Sequence, residues 1–69
     1  MGELSLLDLE CILMERKEFD IEKDGEKILK VNSEEIWGEI HKNKIIKAEF
    51  FGEDTVYTKL ENSELIIFL

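Results

Sequence analysis

The stretch IWGEIHKNKIIKAEFFGEDTVYTKLENSELIIFL, residues 36–69, decides the fold of this chain. It contains three turn signals, at Lys42-Asn43-Lys44, Gly52-Glu53-Asp54 and Asn62-Ser63. Turns of these lengths predict a four-strand antiparallel meander and fix every cross-strand neighbour within it.

This register places apolar side chains together on one face of the predicted sheet. The outer two rows of that face are wholly apolar and the middle row is mostly small; the rows are Ile36, Phe50, Val56, Leu69, then Gly38, Ala48, Thr58, Ile67, then Ile40, Ile46, Leu60, Leu65. A slip of one residue at the second turn would move Lys59 to this face, which supports the register. We therefore predict that this face forms the core.

The other face of the predicted meander is amphipathic. Its aromatic side chains lie in or near one row: Trp37, Phe51, Tyr57 and Phe68. Beside them Lys47 stands opposite Lys59, a like-charge pair that nothing in the sequence explains. Because a monomer would expose this aromatic surface, we expect the N-terminal helix, a second subunit or a ligand to cover it.

Residues 33–42 are also compatible with a short helix. Asn32-Ser33 can cap it, Glu34-Glu35 would lie in its first turn, and His41-Lys42 at its carboxyl end, as the helix dipole favours. Gly38 counts against the helix, because glycine in a helix interior costs about 1 kcal/mol. We favour the strand and keep the helix as the alternative.

Ahead of this stretch, residues 4–17 predict a helix with Ser5 as a candidate cap. At about 100° per residue the helix has two apolar arcs: Leu6, Leu9, Ile12 and Leu13 form one, and Leu7, Cys11 and Met14 form the other. A helix packed on its own sheet needs one such arc, so the second predicts a further contact. At this apolar position, a buried thiol is a better interpretation of Cys11 than an intermolecular disulfide.

Residues 18–31 predict a β-hairpin with a two-residue type I′ turn at Asp24-Gly25. The turn pairs oppositely charged and apolar residues across the hairpin: Lys23 with Glu26, Glu22 with Lys27, and Ile21 with Ile28. Three acids alternate along the first strand and repeat at about 6.8 Å; we call them the acidic row, Glu18, Asp20 and Glu22. Such a row is typical of an exposed edge strand, and it can also imitate the charge of a nucleic-acid backbone.

The composition sets the class of the protein. Sixty-nine residues predict one domain, residues 1–69, of α+β class, in which an N-terminal helix precedes an antiparallel β-meander of five or six strands. A net charge of −8 makes nucleic acid and anionic membranes poor direct partners and basic proteins better ones. With one cysteine and one histidine, neither a disulfide nor a metal can hold so small a core together, so we expect a homo-oligomer.

The chain shows no pattern of residues that predicts catalysis. The serines occupy cap or turn positions and the glycines stand alone, so we expect no enzymatic activity, no cofactor and no metal site. At the predicted first turn, His41 is expected to be a surface residue. The longest apolar run, residues 65–69, is far too short to span a bilayer, and a cytoplasmic protein is expected, in the host cytoplasm if the chain is phage-encoded.

The expected function is therefore binding. The acidic row predicts an interaction protein that blocks or regulates a basic, nucleic-acid-binding macromolecule, in the manner of a phage-type inhibitor or immunity-like protein. The alternative is a homo-oligomer that sequesters a small, nucleotide-like ligand between subunits. In that case the ligand would stack on Trp37 and Tyr57, and its charge would meet Lys47, Lys59 and His41.

Overall fold

The structure is a computed structural model that describes residues 2–69. It consists of one six-stranded antiparallel sheet with two helices on one of its faces. In chain order the elements are β1 (Glu3–Leu4), α1 (Leu6–Met14), β2 (Glu18–Lys23), β3 (Glu26–Asn32), α2 (Ser33–Asn43), β4 (Ile45–Phe50), β5 (Thr55–Leu60) and β6 (Glu64–Phe68). The strands lie side by side in the order β1-β4-β5-β6-β2-β3. The predicted α+β class, with an N-terminal helix and an antiparallel sheet, is confirmed.

The core lies between the helices and one face of the sheet. Each helix contributes a pair of buried residues four apart, Leu9 and Leu13 from α1 and Ile36 and Ile40 from α2. They pack against strand residues that alternate along the chain: Phe19, Ile21, Ala48, Val56, Leu60, Leu65 and Ile67. Removing this apolar surface from water is the main stabilising contribution available to a chain of this size.

Helix α1 begins where the sequence predicts a cap. Ser5 accepts a hydrogen bond from the Asp8 N–H, and the Asp8 carboxylate accepts one from the Ser5 N–H, so two unpaired donors are satisfied at once. The predicted range of residues 4–17 was too long at both ends. Leu4 instead belongs to β1, which pairs with β4 at the sheet edge, and the chain leaves the helix after Met14.

The favoured interpretation of residues 36–41 as a strand was wrong, and the helical alternative is confirmed. The Asn32 side chain caps α2 by accepting a hydrogen bond from the Glu34 N–H at 2.7 Å. Ile36 and Ile40 are both buried, and a spacing of four residues fits one face of a strand as well as one face of a helix. The cap and the favourable charges at both ends outweigh the cost of Gly38.

The second turn of the predicted meander is confirmed residue for residue. Phe50 pairs with Val56 and Ala48 with Thr58, and the Phe51 N–H donates to the Thr55 carbonyl at 2.7 Å. The pairing of Ile46 with Leu60 was wrong. A bulge puts Ile45 opposite Leu60 and leaves Ile46 62% exposed.

The third turn is displaced by one residue, which shifts the register of β6 by two. Val56 pairs with Ile67 instead of Leu69, and the Leu60 N–H donates to the Ser63 carbonyl at 2.9 Å. An even shift keeps the same side chains in the core, so the hydrophobic pattern could not detect it. The turn residue Glu61 donates its N–H to the carbonyls of Asn43 and Lys44, at the carboxyl end of α2.

The β2–β3 hairpin forms as predicted. Its three expected pairs are present, and Asp24 and Gly25 both have positive φ, as a type I′ turn requires. However, β2 is not an edge strand, because it lies between β6 and β3. The edge strand β3 carries a bulge where Leu29 and Lys30 stand opposite Asp20, which disrupts the edge in another way.

An ion pair joins α2 to the end of β2. Lys23 donates to the Glu39 carboxylate, which also accepts a hydrogen bond from the Asn43 amide. The hydrogen bond from Lys23 is the main cause of the lowered pKa of Glu39. This pair lies at one end of a cleft of about 190 Å³ between α2 and the hairpin, whose apolar walls include Ile21, Ile28 and Val31.

Candidate functional site

Two surfaces of the molecule combine apolar and charged groups. The first is the face of the sheet opposite the helices, which we call the open face because no element of residues 2–69 covers it. Its cross-strand rows alternate with the buried ones. The residues that point to it include Glu3, Glu18, Asp20, Glu22, Asp24, Lys27, Lys47, Glu49, Thr55, Tyr57, Lys59, Glu64, Ile66 and Phe68.

The acidic row lies on the open face, along β2. Glu18 and Asp20 are exposed and Glu22 is partly buried. Asp20 accepts a hydrogen bond from the Lys30 N–H at 3.0 Å, and Glu22 stands opposite Lys27 on β3. The row is therefore a regular line of negative charge within the sheet. Two of its carboxylates already interact inside the molecule, Asp20 with a backbone N–H and Glu22 with the facing Lys27.

An apolar strip, formed by Tyr57, Ile66 and Phe68, runs beside the acidic row. Each of the three side chains is partly buried, and lysines approach two of the rings: Lys27 Nζ lies 5.3 Å from the Phe68 ring centre and Lys47 Nζ 5.9 Å from that of Tyr57. The Tyr57 hydroxyl donates to Glu64 Oε2 at 2.8 Å, and this hydrogen bond raises the pKa of Tyr57.

The predicted aromatic row does not assemble on one copy of the chain. Tyr57 and Phe68 do lie on the open face, with Lys47 and Lys59. Trp37 and His41 lie on α2, on the other side of the sheet, with their ring centroids 4.6 Å apart in an edge-to-face arrangement. A ligand that stacks on both Trp37 and Tyr57 would therefore need two copies of the chain. Phe51 follows β4 at the turn and is 68% exposed.

The second surface is on the helix side. Leu7 is 67% exposed, Met14 is 78% exposed, and Cys11 between them is exposed as well. These are the residues of the predicted second arc, and we call them the helix stripe. The prediction of a buried thiol was wrong, because α1 lies on the core with Leu9 and Leu13 and turns Cys11 outward. The helix stripe leaves a continuous apolar surface without a partner in the monomer.

Carboxylates border the helix stripe on both sides. On a helical projection Asp8 and Glu15 flank it on one side and Glu10 on the other. Next to Glu10 a cleft of about 330 Å³ separates α1 from α2; its lining residues are Glu10, Leu13, Met14, Ser33, Glu34, Trp37 and Gly38. None of these lining residues is basic, so the stripe and the cleft form one apolar surface with an acidic border.

The cleft was not foreseen from the sequence, although the signals for it were present. It exists because residues 33–43 form a helix, and the cap at Asn32 with the acid-first, base-last order of charges was the evidence for that helix. Gly38 lines the cleft, and a Cβ at this position would meet no atom of another described part of the chain within 4 Å.

Within residues 2–69 no group of three His, Cys, Asp or Glu side chains converges to hold a metal ion. No helix in the same range is both long and apolar enough to cross a membrane. Comparison with models of known protein families, with curated proteins and with solved structures finds no match.

Proposed function

We propose that this protein is a non-enzymatic acidic interaction protein that binds a basic, nucleic-acid-binding macromolecule and blocks or regulates it. The observation that carries the proposal is the helix side, where the exposed stripe of Leu7, Cys11 and Met14 and the adjoining cleft have carboxylates at their border and no basic lining residue. A partner with apolar side chains ringed by lysine or arginine complements such a surface.

Both parts of this surface suit recognition of a protein. Leucine, methionine and tryptophan supply apolar contact area, and methionine adapts its shape to different partners. The border carboxylates of Glu10 and Glu34 add charge complementarity, which favours fast association and selects basic partners. The net charge of −8 extends this attraction beyond the contact itself and opposes direct binding to nucleic acid or an anionic membrane.

The acidic row offers a second place for a basic partner on the same molecule. Its three carboxylates repeat regularly on an exposed surface, but they lie on the open face, away from the helix stripe. The two surfaces can be separated by substitution, because each consists of side chains that the core does not require.

A capture experiment with matched variants tests the proposal. The wild-type protein, immobilised and exposed to native host extract, is expected to enrich a basic protein that mass spectrometry identifies and that then binds in purified form. Leu7→Ser with Met14→Ser should weaken that binding at least tenfold, because it removes the apolar contact. Ile46→Ser, a similarly exposed residue on β4, is the matched control and should leave affinity unchanged.

The charge dependence gives the second arm of the test. Glu18→Gln, Asp20→Gln and Glu22→Gln together should change affinity less than the helix-stripe variant does. If the acidic-row variant alone abolishes binding, the helix side is not the contact. A partner that is not basic, or an affinity that does not fall with rising salt, would refute the proposed function itself.

The small-ligand alternative has one observation in its favour, the cleft beside Trp37. A planar ligand there would contact Trp37 and change its fluorescence, and its binding would depend little on ionic strength. Recovery of a small molecule and no basic protein from the same capture experiment would favour this alternative. We also propose a cytoplasmic location, that of the host if the chain is phage-encoded.

A further inference from the structure

We propose that two copies of this chain pair through their open faces, about a two-fold axis that runs parallel to the strands and lies between β5 and β6. The proposal concerns the side of the sheet opposite the helix stripe, so it does not depend on binding at that stripe. It does place part of the acidic row, which shares the open face, in the contact between the two copies.

Charge is distributed unevenly across the open face. One cross-strand row reads Lys47 on β4, Lys59 on β5 and Glu64 on β6, and Asp24 completes it by accepting a hydrogen bond from the Glu64 N–H at 2.9 Å. Both positive charges thus lie on one side of the β5–β6 boundary and both negative charges on the other. The row is complementary to itself when it is reversed.

A rotation of 180° about the proposed axis performs that reversal. It leaves the position of each row along the strand direction unchanged. Within a row it brings β5 opposite β6 of the second copy and β4 opposite β2 of the second copy. Lys59 then faces Glu64 of the second copy, and Lys47 faces Asp24 of the second copy. Each contact occurs twice, as in every two-fold interface. The adjacent lysines Lys47 and Lys59, an unfavourable pair within one chain, each gain a carboxylate.

The apolar strip meets its counterpart in the same arrangement. Tyr57 faces Ile66 of the second copy in the next row, and Thr55 faces Phe68 in the row beyond. One contact opposes the pairing, because Glu49 faces Glu22 of the second copy. Both acids already have a lysine nearby, since Lys47 Nζ lies 4.0 Å from Glu49 and Lys27 stands opposite Glu22.

The charges also select this axis over the one perpendicular to the strands. That second axis, passing through the row that contains Tyr57, would place Glu49 against Glu49, Glu22 against Glu22 and Lys27 against Lys27. The size of the face is adequate for a stable pair, because a molecule of 25 × 25 × 20 Å offers a face of the same order as the roughly 800 Å² per partner of standard interfaces. The helix stripe is a poorer surface for self-association, since its borders are acidic on both sides.

The test exploits the symmetry of the contact between Lys59 and Glu64. In Lys59→Glu the two copies present only acids at this contact, and in Glu64→Lys only lysines, so each variant alone should be monomeric at 100 µM. An equimolar mixture should form a heterodimer, because both contacts then join opposite charges. Sedimentation velocity gives the mass, and Lys42→Glu on α2 is a charge-reversal control that should dimerise as the wild-type chain does.

Several results would overturn the proposal. A wild-type protein that is monomeric at 100 µM would do so whatever the variants show. So would single variants that still dimerise, or folded variants whose mixture stays monomeric. Circular dichroism tests whether each variant is folded. If Glu64→Lys does not fold, Phe68→Lys replaces it, and this variant is expected to be folded and monomeric.

Discussion

Two buried hydroxyl groups on the core face of the sheet differ in whether they are paired. Thr58 Oγ1 donates to the Leu65 carbonyl at 2.8 Å, whereas Ser63 Oγ is buried and finds no hydrogen-bond partner among the described residues. An unpaired buried hydroxyl has lost its hydration without compensation. We therefore expect Ser63→Ala to raise the free energy of unfolding by up to about 1 kcal/mol and Thr58→Val to lower it by about 1 kcal/mol. Urea denaturation of both variants measures the contrast, and equal losses would show that Ser63 is paired.

The ion pair between Lys23 and Glu39 predicts a dependence of stability on pH. Because folding lowers the pKa of Glu39 below its ordinary value of 4.5, the folded state favours the charged carboxylate. The resulting stability is fully present above the unfolded pKa and is lost as pH falls through the folded pKa. The pair is partly exposed, so we expect Glu39→Gln to cost about 0.5–1 kcal/mol at pH 7.

This cost should shrink as the pH falls below about 4.5, since the wild-type carboxylate is then protonated as well. Chemical denaturation of both proteins between pH 7 and pH 3 measures the difference. Glu53→Gln, in the exposed turn after β4, is the control and should show no such change. A cost that stays constant over this range would show that the charge of Glu39 contributes nothing.

At the scale of elements, two glycines predict opposite results for one substitution. Gly38 lies in the middle of α2 with open space where a Cβ would stand, so Gly38→Ala should stabilise the protein by about 0.5–1 kcal/mol. Gly25 has a φ of +87° in the hairpin turn, and Gly25→Ala should destabilise it by about 1–2 kcal/mol. Thermal unfolding gives both values, and a loss of stability in Gly38→Ala would contradict the account of α2.

The elements that could be predicted are those fixed by local chemistry. The Asp24-Gly25 turn and the cap at Ser5 each leave a signature within a few residues, and both form as expected. The elements that were missed depend on distant parts of the chain. In its shifted position the third turn lets Glu61 bind the end of α2, and a bulge puts Ile45 opposite Leu60 in the place expected for Ile46.

At the scale of the whole molecule, the sequence identified the side chains of the two surfaces but not their grouping. The second arc of α1 was predicted to make a further contact, and its three residues are exposed, although Cys11 alone was expected to be buried. Trp37 was assigned to the sheet, although it lies with His41 on the helix side. Trp37 lies on one side of the sheet if residues 36–41 form a strand and on the other if they form a helix. Apolar residues spaced four apart fit either structure, so the hydrophobic pattern cannot distinguish the two.

Both helices pack on the same side of the sheet, and this geometry determines how a pair of copies would engage its targets. Open faces that meet in the middle leave the two clefts pointing outward in opposite directions. One pair would then cross-link two target molecules, or grip neighbouring sites on a repetitive target, and the second attachment would profit from a high effective concentration. On a target with many sites, a pair of copies would dissociate slowly even if each single contact were weak. Variants that stay monomeric would dissociate faster from such a target, although their affinity for a single site would be unchanged.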